Sequence, residues 1–551
     1  MSLPVHLTFL GGLGEIGRNC AALEVDGRIV ILDCGQLFPD DLPGVDAVLP
    51  DFTWIRERST SIEGCIITHA HEDHIGALPQ LLQEFSFPVY GSAFTVGMIR
   101  GKLKSSGVSE PDFIIVQDYD QLAIGPFQCE FLPVTHSTPS GLMTIFDTPQ
   151  GLIVHSSDFK LDPAPIDNRL TDLARLEELS VDPGIRLLLA DSTNADSPGF
   201  SASESEVGPA IQQVFEENGE QRIIVGVFSS HIHRIQQIAD SADMTGRKLV
   251  VLGPSLIRNF SLARELGLLK ISDTLLEGEE NLKSLQPNEV CVICTGSQGE
   301  ERAALSLMAQ GRHRALTVAA SDTIVFSSHP IPGNESAVFR LHNKLSLQGA
   351  RLVHSRQLGI HTTGHGKADE LRSLHDASNP EFFIPVHGEY AHLAAHYRLA
   401  LDRGMSSDRL LLCTDGDRVL LNDSGLSRTD RVSSEYVMID SAGVVVSEPL
   451  LEERKRLSEE GFVLVKVKID SKRNCLFESP FVETRGWIEP EERNMWCVEI
   501  ADEVEKVLSQ ALNGKKYSEK ELTRLIRKTT GHLVGNRTRR RPALVPIVEI
   551  C

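Results

Sequence analysis

No apolar run in this 551-residue chain is long enough to cross a bilayer. Its start carries no signal-peptide pattern, since Met1 leads directly into the alternating strand Val5-His6-Leu7-Thr8-Phe9-Leu10. Both absences predict a cytoplasmic protein without a membrane partner. A disulfide framework is missing as well. Ten cysteines are scattered through the chain, and most, such as Cys34, Cys65 and Cys413, lie inside apolar strand-like runs, which predicts buried reduced thiols. Cys291 and Cys294 form a CxxC, but no second CxxC exists to complete a zinc ribbon, and residues three apart in a strand face opposite sides, so both are expected in a core. Positive charge is in deficit: 54 Lys and Arg against 76 Asp and Glu leave a net charge of −22, which argues against a generally phosphate-binding surface. The deficit is uneven. From Lys515 to Arg541 ten Lys or Arg stand against two Glu, a locally basic tail that reads equally well as a solvated helix face.

A chain this long is expected to hold several domains, because single cores stop growing near ~250–300 residues. Its 41% hydrophobic and 24% charged content is that of an ordinary globular protein. The chemistry concentrates in Thr68-His69-Ala70-His71-Glu72-Asp73-His74, between the apolar strand Gly64-Cys65-Ile66-Ile67 and a helix start at Ile75-Gly76-Ala77-Leu78-Pro79. In extended chain His69 and His71 point the same way, while Asp73 and His74, where the chain turns into the helix, face a neighbouring point. A His-rich surface loop would explain one His; three His and an Asp in six residues at a strand end predict ligands for two metal ions. Nitrogen and carboxylate donors without thiolate suit Zn²⁺ first and Mn²⁺ second. The HxHxDH pattern resembles the signature of the metallo-β-lactamase superfamily.

Other signals are weaker singly. Gly11-Gly12-Leu13-Gly14 resembles a dinucleotide turn, yet Cys20–Val25 and Arg28–Asp33 read as a hairpin around Asp26-Gly27, so the glycines are expected instead to let backbone pass close beside the metal loop. Phe38-Pro39-Asp40-Asp41 is expected as a polar loop at the mouth of the site. His136 and Asp158 each end an apolar strand and supply a third His and a carboxylate able to bridge two ions. Asp191 also ends a strand, where a helix N-cap is equally natural. Residues 200–355 have their own α/β rhythm, with hydroxyl- and Gly-rich stretches after strands suited to presenting N–H groups to phosphate. His361 and His365 lie in a Gly- and Thr-rich loop; His387 follows the strand Phe382–Val386, where a ligand for the second ion belongs. From about 455 a clean alternation, a helix-like stretch from Trp496 to Leu512 and a last strand over 543–550 predict a small α+β domain, with Glu448 to Glu460 as linker helix or hinge.

Taken together, Gly11–Asn19, His69–His74, Ala190-Asp191-Ser192-Thr193-Asn194-Ala195, Pro330–Glu335, Pro385-Val386-His387-Gly388-Glu389 and Arg539-Arg540-Arg541-Pro542 resemble the bacterial ribonuclease J family, in the β-CASP branch of the superfamily, over essentially the whole chain. The resemblance implies an α/β chain: a metallo-β-lactamase αββα sandwich (1–200 and 358–445), an inserted α/β β-CASP domain (201–357), a linker (446–456) and a small α+β C-terminal domain (457–551). It implies that His69, His71, His136 and Asp158 hold one Zn²⁺ (or Mn²⁺), and that Asp73, His74, the shared Asp158 and His387 hold another. Asp191 matches the family's acid and His365 its proton acceptor and phosphate contact. His231, Ile232, His233 and His361-Thr362-Thr363-Gly364-His365 match positions that grip the nucleotide, and Phe38 is expected to stack on a base.

The implied activity is hydrolysis of single-stranded RNA with 5′-phosphate products, combining 5′-to-3′ exonuclease preferring a 5′-monophosphate with endonuclease action in RNA maturation and decay. At least a homodimer is implied, with tetramers and RNA-degradosome subunits as further partners. The chain departs from the family at Thr138-Pro139-Ser140 (usually Ile-Pro-Asp), Ser157 (usually Gly), Thr362-Thr363-Gly364-His365 (usually Val-Ser-Gly-His) and Gly253-Pro254-Ser255 (usually Gly-Arg-Ser). No expected metal ligand is lost, so these departures bear on substrate preference, 5′-end sensitivity and rate. Two rivals remain: a hydrolase of a small-molecule ester or thioester, which leaves the insertion and the basic tail unexplained, and a non-catalytic RNA-binding scaffold, against which the intact ligand set counts.

Overall fold

The computed structural model describes residues 2–39, 42–331 and 333–551; Asp40 and Asp41 of the expected mouth loop and Pro332 of the 330–335 motif lie outside them. The chain forms two compact units, Met1–Phe38 with Val48–Val437, and Pro39–Ala47 with Met438–Cys551.

In the first unit, period-two alternation builds two sheets that bury one face against each other. Leu7, Phe9, Leu23, Val30 and Leu32 from an eight-stranded sheet share a single core with Phe127, Phe131, Phe146, Leu187 and Ile384 from a six-stranded one. The alternate residues face outward under helices: Leu132, Val134, Ile145 and Leu188 pack against Leu176, Leu371 and Leu399 of helices Leu173–Val181, Ala368–Ser378 and Tyr390–Asp402. On the other sheet Ile29, Ile31, Cys65 and Ile67 are buried on the side of helices Leu78–Glu84 and Ala93–Ser106. The result is the expected αββα sandwich. The expected hairpin also forms, with Asp26 and Gly27 both at positive φ (50° and 71°), the backbone that a two-residue turn needs to match strand twist.

The sandwich is discontinuous in sequence. Strand Phe382–Val386 pairs in parallel with Ile185–Asp191, and Asp417–Asn422 pairs with Val5–Gly11, so both sheets are completed by chain that returns after a long excursion. That excursion is a parallel five-stranded sheet in the order Lys248–Leu252, Val290–Cys294, Ile223–Gly226, Thr323–Phe326, Arg351–His354, covered by helices on both faces. Cys291 belongs to the core on one face and Cys294 to the core on the other, as expected for a strand CxxC.

One buried cation ties excursion to sandwich. The Arg234 guanidinium, in the first turn of helix Ile232–Met244, donates to both oxygens of Glu204 on the outgoing connection at 2.8 Å. It also donates to the Ser327 hydroxyl at 2.5 Å and to the Ile360 carbonyl on the returning chain at 2.9 Å.

In the second unit, strand Phe462–Asp470 turns Val463, Val465, Val467 and Ile469 onto helices Arg493–Leu512 and Glu519–Thr538, through Ile500, Val504, Leu508, Ile526 and Val534. The last strand, Ala543–Ile550, runs parallel to the first because the helices provide the crossover, and its Pro546 sits at an edge. Residues Glu448–Glu460 form a helix.

Removing a buried partner leaves an uncompensated charge. Arg234→Met is expected to destabilise the first unit by ~3–5 kcal/mol, read from urea unfolding, and Arg234→Met combined with Glu204→Leu to recover most of that loss. A double variant no better than the single would contradict the pairing of these two charges as the source of the loss.

Candidate functional site

The carboxyl ends of strands from both sheets meet at one edge of the sandwich, and the polar residues that follow them converge there. The Thr68–His74 loop leaves strand Ile62–Ile66 and enters a one-turn helix, Glu72–Ile75; a separate helix, Leu78–Glu84, follows. A single helix start near Ile75 was expected. The backbone shows the cause: the Ala77 N–H bonds to the Cys34 carbonyl at 3.0 Å, and the Asp73 carbonyl that it would meet in a continuing helix accepts from Asn19 instead. Asp73 and His74 therefore sit inside the first turn and are aimed by it.

Two tetrads form, His69, His71, His136 with Asp158, and Asp73, His74, Asp158 with His387, each with one ligand atom per residue and all such atoms within 4.8 Å of one another. His71 Nδ1 lies 3.1 Å from His69 Nε2 and 3.0 Å from His136 Nε2. Asp158 Oδ2 lies 3.3 Å from His74 Nε2, 3.4 Å from His387 Nε2 and 3.6 Å from His69 Nε2. All seven residues expected as metal ligands are thus brought together.

The tautomers are set from behind. His136 Nδ1–H donates to the Gly364 carbonyl at 2.7 Å, His74 Nδ1–H to Asp33 Oδ2 at 2.8 Å and His387 Nδ1–H to Asn19 Oδ1 at 2.9 Å, which leaves each Nε2 lone pair facing the cluster. Ring nitrogens presenting lone pairs to one another at about 3 Å repel unless a cation lies among them, so the donor set fits a pair of divalent ions of the Zn²⁺ type. Burial keeps His69 and His136 well below the usual imidazole range and His71 at about 4. Burial alone would raise the Asp158 carboxyl; His387, His74 and His69 outweigh it and hold the group well below the usual carboxylate range.

Asp33 and Asn19 were not singled out from sequence. Asp33, buried at the end of strand Arg28–Leu32, also accepts from the Thr68 N–H at 2.8 Å and from the Thr68 hydroxyl. Asn19 donates its backbone and side-chain N–H to the Asp73 carbonyl at 3.0 and 3.1 Å. A polar residue at a strand end level with the metal loop was the available signal. The glycine expectation holds with a change of position: a Cβ at Gly35 would stand 1.5 Å from the Asp73 carbonyl oxygen, whereas one at Gly12 would stand 2.3 Å from Asn19 Oδ1, so the first pair acts on the loop through Asn19.

Asp191 and His365 form a separate pair at the rim. Asp191 Oδ2 accepts from His365 Nδ1–H at 2.7 Å, and Asp191 Oδ1 accepts from the Thr193 N–H and hydroxyl at 2.9 and 2.8 Å. Burial opposes charge on His365, but Asp191 raises it to about 9. Both residues also close a third group with Asp158 and His387.

The expected nucleotide-gripping residues are placed unequally. His231 is buried with neither ring nitrogen bonded, and His233 Nε2 lies 3.4 Å from Asp167. His361 packs edge-on to His329, and Phe38 is 61% exposed. Thr362 donates to the Ala202 carbonyl, Thr363 accepts from Asn194, and Gly364 supplies the carbonyl behind His136, so this loop mainly braces the site. Ile232 is different: its side chain is fully buried in the core of the excursion, and only its backbone can face a ligand. Beside the tetrads lies a narrow cleft lined by His136, Ser137, Thr138, Ser140, Lys160 and His233, with about 10 Å³ of free volume, room for little more than one water.

Comparison with known proteins agrees with this layout. Family models match as metallo-beta-lactamase superfamily over residues 13–175, ribonuclease J beta-CASP domain over 220–345, Zn-dependent metallo-hydrolase RNA specificity domain over 357–407 and ribonuclease J C-terminal domain over 449–549. Ribonuclease J of Mycolicibacterium smegmatis is 38% identical, with 99% of this chain and 97% of the relative covered; ribonuclease J of Mycobacterium tuberculosis is 39% identical with the same coverage. Ribonuclease J 1 of Streptococcus pyogenes is 35% identical over 98% of this chain and 96% of its own. A solved structure of a protein of unknown function from Enterococcus faecalis shares the fold at TM-score 0.54 and 13% identity, covering 76% of this chain and all of that one.

Partners behind metal-binding His residues typically carry ~10–100-fold in metal affinity. Asp33→Asn is expected to lower zinc retention against a chelator by that factor while leaving the far-ultraviolet circular dichroism unchanged. Wild-type retention in Asp33→Asn would remove the orienting role assigned to Asp33.

Proposed function

The chain belongs to the ribonuclease J family of metal-dependent ribonucleases, and from that premise we propose that it degrades single-stranded RNA from the 5′ end, 5′-to-3′ with a preference for a 5′-monophosphate, and also cuts internally, leaving 5′-phosphate products. The observation that carries this reading is the convergence of seven His and Asp side chains on two adjacent tetrads sharing Asp158. His69, His71, His136 and Asp158 would hold one Zn²⁺ and Asp73, His74, Asp158 and His387 the other, with Mn²⁺ as the alternative metal. Such a pair, when bound, makes water a nucleophile at neutral pH and neutralises charge on the attacking and leaving oxygens.

The residues of the chain do the rest. Asp33 and Asn19 fix the rings of His74 and His387 so that the scissile phosphate meets a rigid frame. Asp191 and His365, joined by their 2.7 Å hydrogen bond, act as one proton-handling unit, Asp191 as the acid that protonates the leaving oxygen and His365 as proton acceptor and scissile-phosphate contact. His231, His233 and His361 contact the nucleotide, with Thr362 to Gly364 bracing them, and Phe38 stacks on a base. Thr138 and Ser140 line the narrow cleft beside His136, so these departures from the family sequence act on substrate preference at the edge of the metal cluster. In this reading residues 1–200 and 358–445 carry the chemistry, 201–357 the RNA grip, 446–456 the link and 457–551 the C-terminal domain. The protein works in the cytoplasm in RNA maturation and decay, as a homodimer or tetramer, with degradosome subunits as candidate partners.

A zinc-loaded preparation is expected to degrade a labelled single-stranded RNA, to stop in chelator, and to lose at least about a thousandfold in rate as Asp73→Ala. A 5′-monophosphate end should be preferred to a 5′-triphosphate by about tenfold or more, and a circular RNA should still be cut. Hydrolysis of a small ester or thioester without any RNA cleavage would overturn the proposal.

A further inference from the structure

We infer that the outer face of helix Glu519–Thr538 is a docking surface for an RNA backbone, carried by the second compact unit and built from none of the residues of the catalytic cluster. The helix buries Leu522, Ile526, Thr530 and Val534 along one face. Lys520, Arg524, Arg527 and Lys528 follow one another at the i, i+4, i+7 and i+8 positions of another face, and all four are exposed. Among the described residues none of the four enters a salt bridge, and Lys516 and Arg539 to Arg541, which flank the helix, enter none either.

Pairing with acidic neighbours or with the helix dipole does not account for these cations. The neighbouring helix Arg493–Leu512 carries Glu499, Asp502, Glu503 and Glu505, yet among the described residues Arg537 with Glu499 is the only ion pair between the two helices. The nearby Glu521 is spent on the helix N-cap, accepting from the Ser518 N–H and hydroxyl at 2.8 Å. Lys520 stands in the first turn of the helix, where the macrodipole disfavours cations, and the like charges four apart, Lys520 with Arg524 and Arg524 with Lys528, cost a few tenths of a kcal/mol each. A row of unpaired cations held at such a cost, in a chain of net charge −22, suits a polyanion laid along it. The choice of RNA as that polyanion rests on the ribonuclease reading; an acidic surface on a second copy of the chain is the competing occupant.

The test uses the full-length protein in chelator, so that nothing is cut, and fluorescence anisotropy with single-stranded RNAs of about 30 and about five nucleotides. Replacing Lys520, Arg524, Arg527 and Lys528 together by Gln should weaken binding of the long RNA about tenfold or more, and flatten the slope of log affinity against log salt by about 3, while leaving the short RNA unaffected. The Lys-for-Arg exchange K520R/R524K/R527K/K528R should bind as the wild type, and K528Q alone should flatten the slope by about 0.7. Wild-type affinity and slope in the four-Gln variant overturn the inference, as does a variant that changes only the oligomeric state seen by light scattering. Because cleavage is not measured, failure here is distinguishable from failure of the ribonuclease reading.

Discussion

Everything in the first unit is arranged around one buried carboxylate. Asp158 belongs to both tetrads and to the rim group with Asp191 and His365, so a single carboxylate links all three groups. A carboxylate in that position is costly unless positive charge surrounds it. A bound pair of cations would supply this charge, and the orientations of His69, His74 and His387 around it are held from behind by the Thr68 hydroxyl, Asp33 and Asn19. The tightness of the backbone follows, since Gly35 admits the Asp73 carbonyl where any Cβ would collide.

Sheet pairing explains why a chain excursion of 190 residues, 192–381, can be accommodated. The excursion leaves after strand Ile185–Asp191 and returns before strand Phe382–Val386, two strands that are neighbours in the six-stranded sheet. Sheet pairing therefore closes the gap. Arg234 then binds the outgoing chain, the inserted sheet and the returning chain with a single guanidinium, and the returning chain delivers His361, His365 and the Gly364 carbonyl to the site. Pairing in the sheet and the Arg234 network thus set the geometry of the rim, although neither touches the reacting atoms.

Charge is segregated along the chain as well as balanced within the site. The cluster gathers His and Asp side chains at buried strand ends, whereas one helix of the second unit carries Lys520, Arg524, Arg527, Lys528 and Arg537. A single net charge describes neither region, because a phosphate backbone responds to local potential and not to the sum over the chain.

Local sequence was enough for whatever depends on local periodicity. It determined the alternating strands, the Asp26-Gly27 hairpin, the strand CxxC with its two faces, the inner helix pattern of the second unit, and the grouping of His69, His71, Asp73 and His74 by strand-to-loop geometry. Their places at the ends of apolar strands added His136, Asp158 and His387, which are distant in sequence, and motif resemblance assigned them to the two ions. Tertiary structure decided the rest: that Cys34 and Asn19 take the backbone bonds that would continue the expected helix and leave Asp73 and His74 in a single turn, that Asp33 and Asn19 orient the rings, that the Ile232 side chain belongs to a core and not to a ligand, and that Arg234 is fully buried. Those outcomes depend on which strand ends become neighbours when two sheets pack, and nothing within a local stretch of residues encodes that proximity.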